Sequence, residues 1–135
     1  MIKKSVLSVL AALFLLPVLL IACRSSAPGD SILQPVSWNR AMSSGNPTLA
    51  EFGRGTCIPC KEMKPILKAL AEEYKGRLNV LIIDVDTYST LTRQYGIMVI
   101  PTQIFFDKYG KEVSRHVGLF PKADIIEELT KMGVE

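Results

Sequence analysis

Cys57-Ile58-Pro59-Cys60 puts two thiols three positions apart, a spacing at which the second sulfur can attack a mixed disulfide formed by the first. The pair falls between a strand-like stretch and a helix-like one. A thiol at a helix start meets free N–H groups and the positive end of the dipole, both of which favour thiolate. Cys57 is therefore expected to be the exposed attacking thiol and Cys60 the more buried resolving thiol. Two other uses of the pair stay open on the residues alone. A structural zinc site wants four ligands, whereas the only histidine, His116, is far away in sequence. His116 reads as an ordinary strand residue, and neither metal nor cofactor is expected. A structural disulfide closing so short a loop would add little stability through chain entropy.

The third cysteine belongs to a different pattern. Lys3 and Lys4 precede an apolar run, Val6 to Ala22, whose only polar side chain is Ser8. A basic start, an apolar stretch and a small residue before a cut describe a secretory signal. Leu20-Ile21-Ala22-Cys23 resembles the lipobox of bacterial lipoproteins, which implies that Cys23 receives lipid and becomes the first mature residue. An uncleaved membrane anchor is the alternative, since about 17 apolar residues lie near the lower limit for a span. Either way the remainder is expected outside the cytoplasm, periplasmic or at the cell surface, and held to a membrane. Removing residues 1–22 lowers the formal charge from +3 to +1. A nearly neutral domain with no basic run has no electrostatic footprint for nucleic acid.

The remaining elements must position the two thiols. Residues 23–34 are rich in Ser, Pro and Gly and read as a flexible tether. Residues 35–135 are enough for one domain. Val36 to Ser44 suits a short helix with Trp38, Ala41 and Met42 inward, and Thr48 to Gly53 a strand. From Cys57 to Tyr74 the residues Met63, Ile66, Leu67, Leu70, Ala71 and Tyr74 recur at helical spacing, with Pro65 removing one backbone donor. Leu78 to Val85 reads as a strand covered on both faces, and Thr87 to Tyr95 as a short helix. Thr102 to Phe106 and Glu112 to Val117 form a hairpin across Asp107-Lys108-Tyr109-Gly110. Pro121 to Met132 is a last helix with Gly133 as its cap. Helices alternating with parallel strands, then a hairpin and a helix, predict an α/β sheet with helices on both faces.

Glu51-Phe52, Cys57-Ile58-Pro59-Cys60-Lys61, Pro65, Tyr95-Gly96-Ile97 and Ile100-Pro101-Thr102 together resemble the thioredoxins, as do Gly110 and Gly118. The resemblance runs from about Val36 to Val134. It implies the thioredoxin fold, with a central mixed sheet flanked by helices on both faces. It also implies a cis bond between Ile100 and Pro101, beside the sulfurs, and an extended substrate segment held by Ile100. With Ile58 and Pro59, those residues are the expected contacts for a protein disulfide. Glu51 stands where the family carries a buried aspartate that exchanges a proton with the resolving cysteine. Thr56 and Gly53 replace aromatic residues of the family, so the surface near Cys57 should be less apolar. Ile82 replaces a lysine that pairs with the acid, which should raise the pKa of Glu51 further.

Ile58 and Pro59 bring no charge between the thiols, which favours a low, reducing potential. The expected activity is reduction of protein disulfides by an anchored monomer, fed by a membrane carrier of thiol electrons. Anchored relatives of this kind serve cytochrome c maturation or reductive repair. Oxidase or isomerase activity is the alternative, as is a binding module with a structural disulfide. For the anchor, Cys23→Ser should abolish both cleavage and acylation. Intact mass of membrane-extracted parent protein should show residues 1–22 gone and acyl mass added; a full-length unmodified chain would favour the uncleaved anchor.

Overall fold

The computed structural model describes residues 35–135. The signal-like segment 1–22 and the tether 23–34, Cys23 among them, lie outside the described residues. Four strands make one sheet in the order β2-β1-β3-β4. Strand β1 (Thr48–Gly53) pairs in parallel with β2 (Asn79–Asp84) and antiparallel with β3 (Thr102–Phe106). Strand β4 (Glu112–Val117) runs antiparallel to β3. A parallel pair cannot be joined by a tight turn and needs a crossover. Here the crossover is helix α2 (Ile58–Glu73), which begins just past the first thiol.

The sheet is covered on both sides, as the thioredoxin resemblance implied. Leu49, Val80 and Phe105 face Met63, Leu67 and Leu70 of α2 and Ile125 and Leu129 of α4 (Lys122–Lys131). Ala50, Phe52, Leu81, Ile83, Ile104 and Phe106 face the other way. They meet Trp38 and Ala41 of α1 (Pro35–Met42) and Leu91 of α3 (Ser89–Gln94), with Tyr95 at its end. The helical spacing read from the sequence therefore picks out the buried stripe of α2. That helix runs through Pro65 as one element.

Two glycines do conformational work here. Gly110 takes φ 77° in the β3–β4 turn, where Asp107 Oδ1 accepts from the N–H groups of Tyr109 and Lys111, each at 2.9 Å. Gly133 takes φ 73° after α4. There the Val134 N–H bonds Leu129 O at 3.0 Å and the Gly133 N–H bonds Thr130 O at 2.9 Å, the paired bonds of a Schellman end. Helix α3 is shorter than Thr87 to Tyr95 because Tyr88 and Tyr95 are its caps.

Phe105 has no exposed surface and meets Phe120 edge-on at 6.2 Å. Phe105→Ala should destabilise the domain by about 3–5 kcal/mol through lost burial and a residual cavity. Tyr109→Ala, at a side chain 79% exposed in the hairpin turn, should stay within about 0.5 kcal/mol. Urea unfolding measures both, and equal midpoints for the two variants would contradict this placement of the core.

Candidate active site

Strand β1 ends at Gly53, and four residues later Cys57 becomes the N-cap of α2. Cys57 is half-buried and Cys60 buried, and the two are joined as a disulfide with Cα atoms 5.3 Å apart. An N-cap side chain accepts from the N–H of the second or third helical residue. Pro59 occupies the second position and has no N–H, so Cys57 Sγ receives one bond, from the Cys60 N–H at 3.4 Å. The loop before it is tied down by Arg54. Its guanidinium makes a bidentate pair with Asp86, 2.6 Å for each bond, on the segment after β2. That pairing lowers the Asp86 pKa and raises that of Arg54.

Glu51 is paired on both sides, with Ile82 of β2 and Gln103 of β3. Alternation along β1 sends it to the α2 face with Leu49, and it is only 1% exposed. Oε1 has no hydrogen-bond partner. Burial raises the pKa of this carboxyl from 4.5 to about 7, against a smaller lowering by Lys64. The absent lysine at Ile82 is thus partly replaced by a cation from α2. A Cβ on Gly53 would lie 2.6 Å from Glu51 Oε1 and 3.1 Å from Cys60 Sγ. The Glu51 carboxyl and Cys60 Sγ therefore flank one point. Beside them opens a cavity of about 290 Å³, lined by Glu51, Gly53, Cys60, Lys61, Lys64 and Ile82 among others.

The Ile100–Pro101 bond is cis. Phe52 pairs with Thr102, which pairs with Val117. The end of β1, the start of β3 and the end of β4 therefore share one end of the sheet, the end that leads to Cys57. Pro101 is buried and Ile100 and Pro59 are half-buried. Ile58 (70% exposed), Met98 (91%), Val99 and Leu119 leave apolar surface on the segments around that end. Thr56 is exposed and small, so apolar character here comes from other residues than those the family comparison singled out. His116 stacks on Phe120 at 3.9 Å, and its Nε2 lies 3.1 Å from Leu119 O. Among the described residues no group of three or more His, Cys, Asp or Glu could hold a metal, and no helix is long and apolar enough to cross a membrane.

Sequence reasoning missed Gln103, a fully buried amide opposite Glu51 whose Nε2 and Oε1 both lack partners. A lone amide in the apolar strand Thr102–Phe106 was its only signal. It also missed Lys64, whose influence on Glu51 needs the docking of α2 over β1 to be known.

Residues 31–131 match the thioredoxin family model, and the chain belongs to the thioredoxin family. It is 40% identical over 83 residues to a thioredoxin of Staphylococcus aureus, a match covering 62% of this chain and 79% of that protein. It is 37% identical over 89 residues to a bifunctional thioredoxin reductase/thioredoxin of Mycobacterium leprae, covering 66% of this chain but 19% of that longer protein. The chain is a thioredoxin-like redox protein with a disulfide-forming CxxC pair.

The pKa of Glu51 fixes the sign of a pH effect. Between 4.5 and about 7 the folded disulfide form keeps a proton that the unfolded chain has lost. Its stabilising effect is full below 4.5 and is lost as pH rises through about 7. The full span corresponds to about 3 kcal/mol. Glu51→Gln removes the titration, so its stability relative to the parent should rise by up to that amount between about pH 4 and pH 8. Urea unfolding of both oxidised proteins over that range is the check, and a constant difference would mean that Glu51 does not titrate in the fold.

Proposed function

We propose that this chain is a protein-disulfide reductase outside the cytoplasm, periplasmic or at the cell surface, tethered by lipid on Cys23 to a bacterial membrane. The observation that carries the redox reading is the pair itself: a half-exposed sulfur at a helix start and a buried one beside an unpartnered carboxyl. In the dithiol form, Cys57 thiolate attacks a substrate disulfide. One substrate sulfur leaves as thiolate and takes a proton from water. Glu51 carboxylate then accepts the proton of Cys60, whose thiolate attacks Cys57 Sγ. The second substrate thiolate leaves, and two electrons have passed from the dithiol to the substrate. A group poised near neutrality suits this exchange, because it accepts and returns the proton at little cost.

The reducing direction is supported by what surrounds Cys57 Sγ. No charge lies between the cysteines, and Pro59 withholds an N–H that would otherwise stabilise the thiolate. A less stabilised dithiol gives up its electrons more readily. The apolar residues Ile58, Met98, Val99 and Leu119 suit an unfolded or extended protein segment, with Ile100 and Pro101 next to them. A reductant outside the cytoplasm needs electrons carried across the membrane, so its partner is a membrane protein that passes thiol electrons outward. Cytochrome c maturation and reductive repair are the processes such a domain would serve. Its signal-like leader and Cys23 support this location, and its near-neutral charge supports protein over nucleic-acid partners. We take the working form to be a monomer.

Reduction of insulin disulfides with dithiothreitol as electron source tests the activity, and equilibration with glutathione tests the direction. Alkylation of the reduced protein at neutral pH should label Cys57 well before Cys60. Glu51→Gln should still form the first mixed disulfide but resolve it more slowly, so that the adduct accumulates in rapid-quench samples. No insulin reduction would point to a structural disulfide in a binding module. A glutathione equilibrium as oxidising as that of dedicated oxidants would point to thiol oxidation or isomerisation.

A further inference from the structure

Glycine inside a strand weakens it, and it commonly marks a place where another group approaches closely. Gly53 ends β1, and its φ lies outside the left-handed region, so its backbone does not call for glycine. Space does. An added Cβ would sit 2.6 Å from Glu51 Oε1, and no real Cβ tolerates that approach. The same Cβ would sit 3.1 Å from Cys60 Sγ and 3.2 Å from Cys60 Cβ. The volume that a side chain at position 53 would fill is occupied by the end of a long acid on one side and by the resolving sulfur on the other.

We propose that Gly53 is a positioning residue for the buried acid: its missing side chain lets the glutamate carboxyl reach the flank of Cys60. This rests on the redox reading above and deepens it. Glutamate carries one more methylene than aspartate, and the extra reach has to end somewhere. In this chain it ends in the gap over Gly53, next to the cavity that opens to solvent. Residue 51 and residue 53 are thus a matched pair, in which the longer acid keeps its carboxyl beside Cys60 only if the second position is bare. The charged and titratable groups around the carboxyl are Lys64 and Lys61 of α2, Arg54 and Asp84 along the cavity, and Cys60 itself. Its strand neighbours Ile82 and Gln103 carry no charge.

The test is a cycle of Gly53→Ala and Glu51→Asp. In Gly53→Ala the carboxyl, as the free end of a flexible side chain, should move, while Cys60 is held by its helix. The Glu51 carboxyl titration, followed by carbon NMR in the oxidised protein, should shift its midpoint by about half a unit or more. Resolution of a mixed disulfide at neutral pH should slow about tenfold, within the range general acid–base catalysis supplies. Glu51→Asp withdraws the carboxyl from the gap, so adding Gly53→Ala to it should leave the midpoint of the shortened acid unchanged and slow resolution much less than it does with Glu51, since only the 3.1 and 3.2 Å contacts with Cys60 remain. Gly55→Ala, with nothing within 4 Å of its added Cβ, is the control and should behave as the parent.

A parent-like midpoint in Gly53→Ala would overturn the proposal, as would equal effects of Gly53→Ala with either acid, since contacting residues should not be additive. If Gly53→Ala fails to fold, the double variant decides. Cooperative unfolding of Glu51→Asp/Gly53→Ala would support a clash specific to the longer acid, and its failure to fold would overturn it. The carboxyl titration needs no catalytic activity, so a parent that fails to reduce insulin would sink the reductase reading and leave this result standing.

Discussion

Strand β1 is hydrogen-bonded along both edges, and alternation along its six residues commits Leu49, Glu51 and Gly53 to the α2 face. A one-residue slip would carry Phe52 to that face and drive the acid into the aromatic side of the sheet. With the register fixed, a carboxyl stands where charge is costly and no donor meets Oε1. The other features of the site answer that constraint. The proton is retained to about neutrality, Lys64 offers a partial counter-field from α2, and the cavity beside Gly53 gives an outlet to solvent. The crossover helix serves both ends of this arrangement: its stripe of Met63, Leu67 and Leu70 seals the face, and its first turn carries the sulfurs.

The opposite face contributes rigidity. Trp38 lies 5.3 Å from Tyr95 and 5.6 Å from Phe106, and Tyr95 in turn lies 5.4 Å from Phe106, all in tilted or edge-on contacts. Such geometry suits the ring quadrupoles and adds to plain burial. Burial also raises the pKa of Tyr95, with Glu112 adding to it, so the ring stays neutral in its apolar setting. Tyr95 leads through Gly96 and Ile97 to the cis Ile100–Pro101 bond. The aromatic cluster therefore holds the root of the segment that faces the end of the sheet where the disulfide lies.

Periodicity located most of this fold because long elements bury one face of themselves. Helix α2 differs by a single residue at each end from the Cys57–Tyr74 stretch, those two residues being its caps. Thr48 to Gly53 and the two hairpin strands have the bounds their patterns indicated. Strand order is different in kind, because local pattern does not say that β1 lies between β2 and β3. The structure alone supplies that order. Burial of Glu51 was legible only through the resemblance, for a lone acid in a six-residue strand is more often at a rim. Gln103 escaped notice because its significance lies in facing Glu51 across a strand pair, and pairing is not written along the chain. The signal-like pattern of residues 1–22 and Cys23 is legible only as sequence, being outside the described residues.

Glu51 and Cys60 flank a common point inside the fold, and two neighbouring acids in a poorly solvated place do not ionise independently. In the disulfide form Cys60 bears no ionisable proton, and the carboxyl titrates near 7. In the dithiol form a thiolate at Cys60 would oppose a carboxylate at Glu51, since each negative charge disfavours the other. In the mechanism proposed for this pair, Cys57 at the helix start and half-exposed attacks first, and Cys60 would become the nucleophile as the carboxyl takes its proton. The bond that Cys60 attacks exists only once Cys57 has formed the mixed disulfide, so in that mechanism the carboxyl bears on the second step alone. The same carboxyl that costs the fold stability above neutrality would thereby govern the rate of the second chemical step and leave the first untouched.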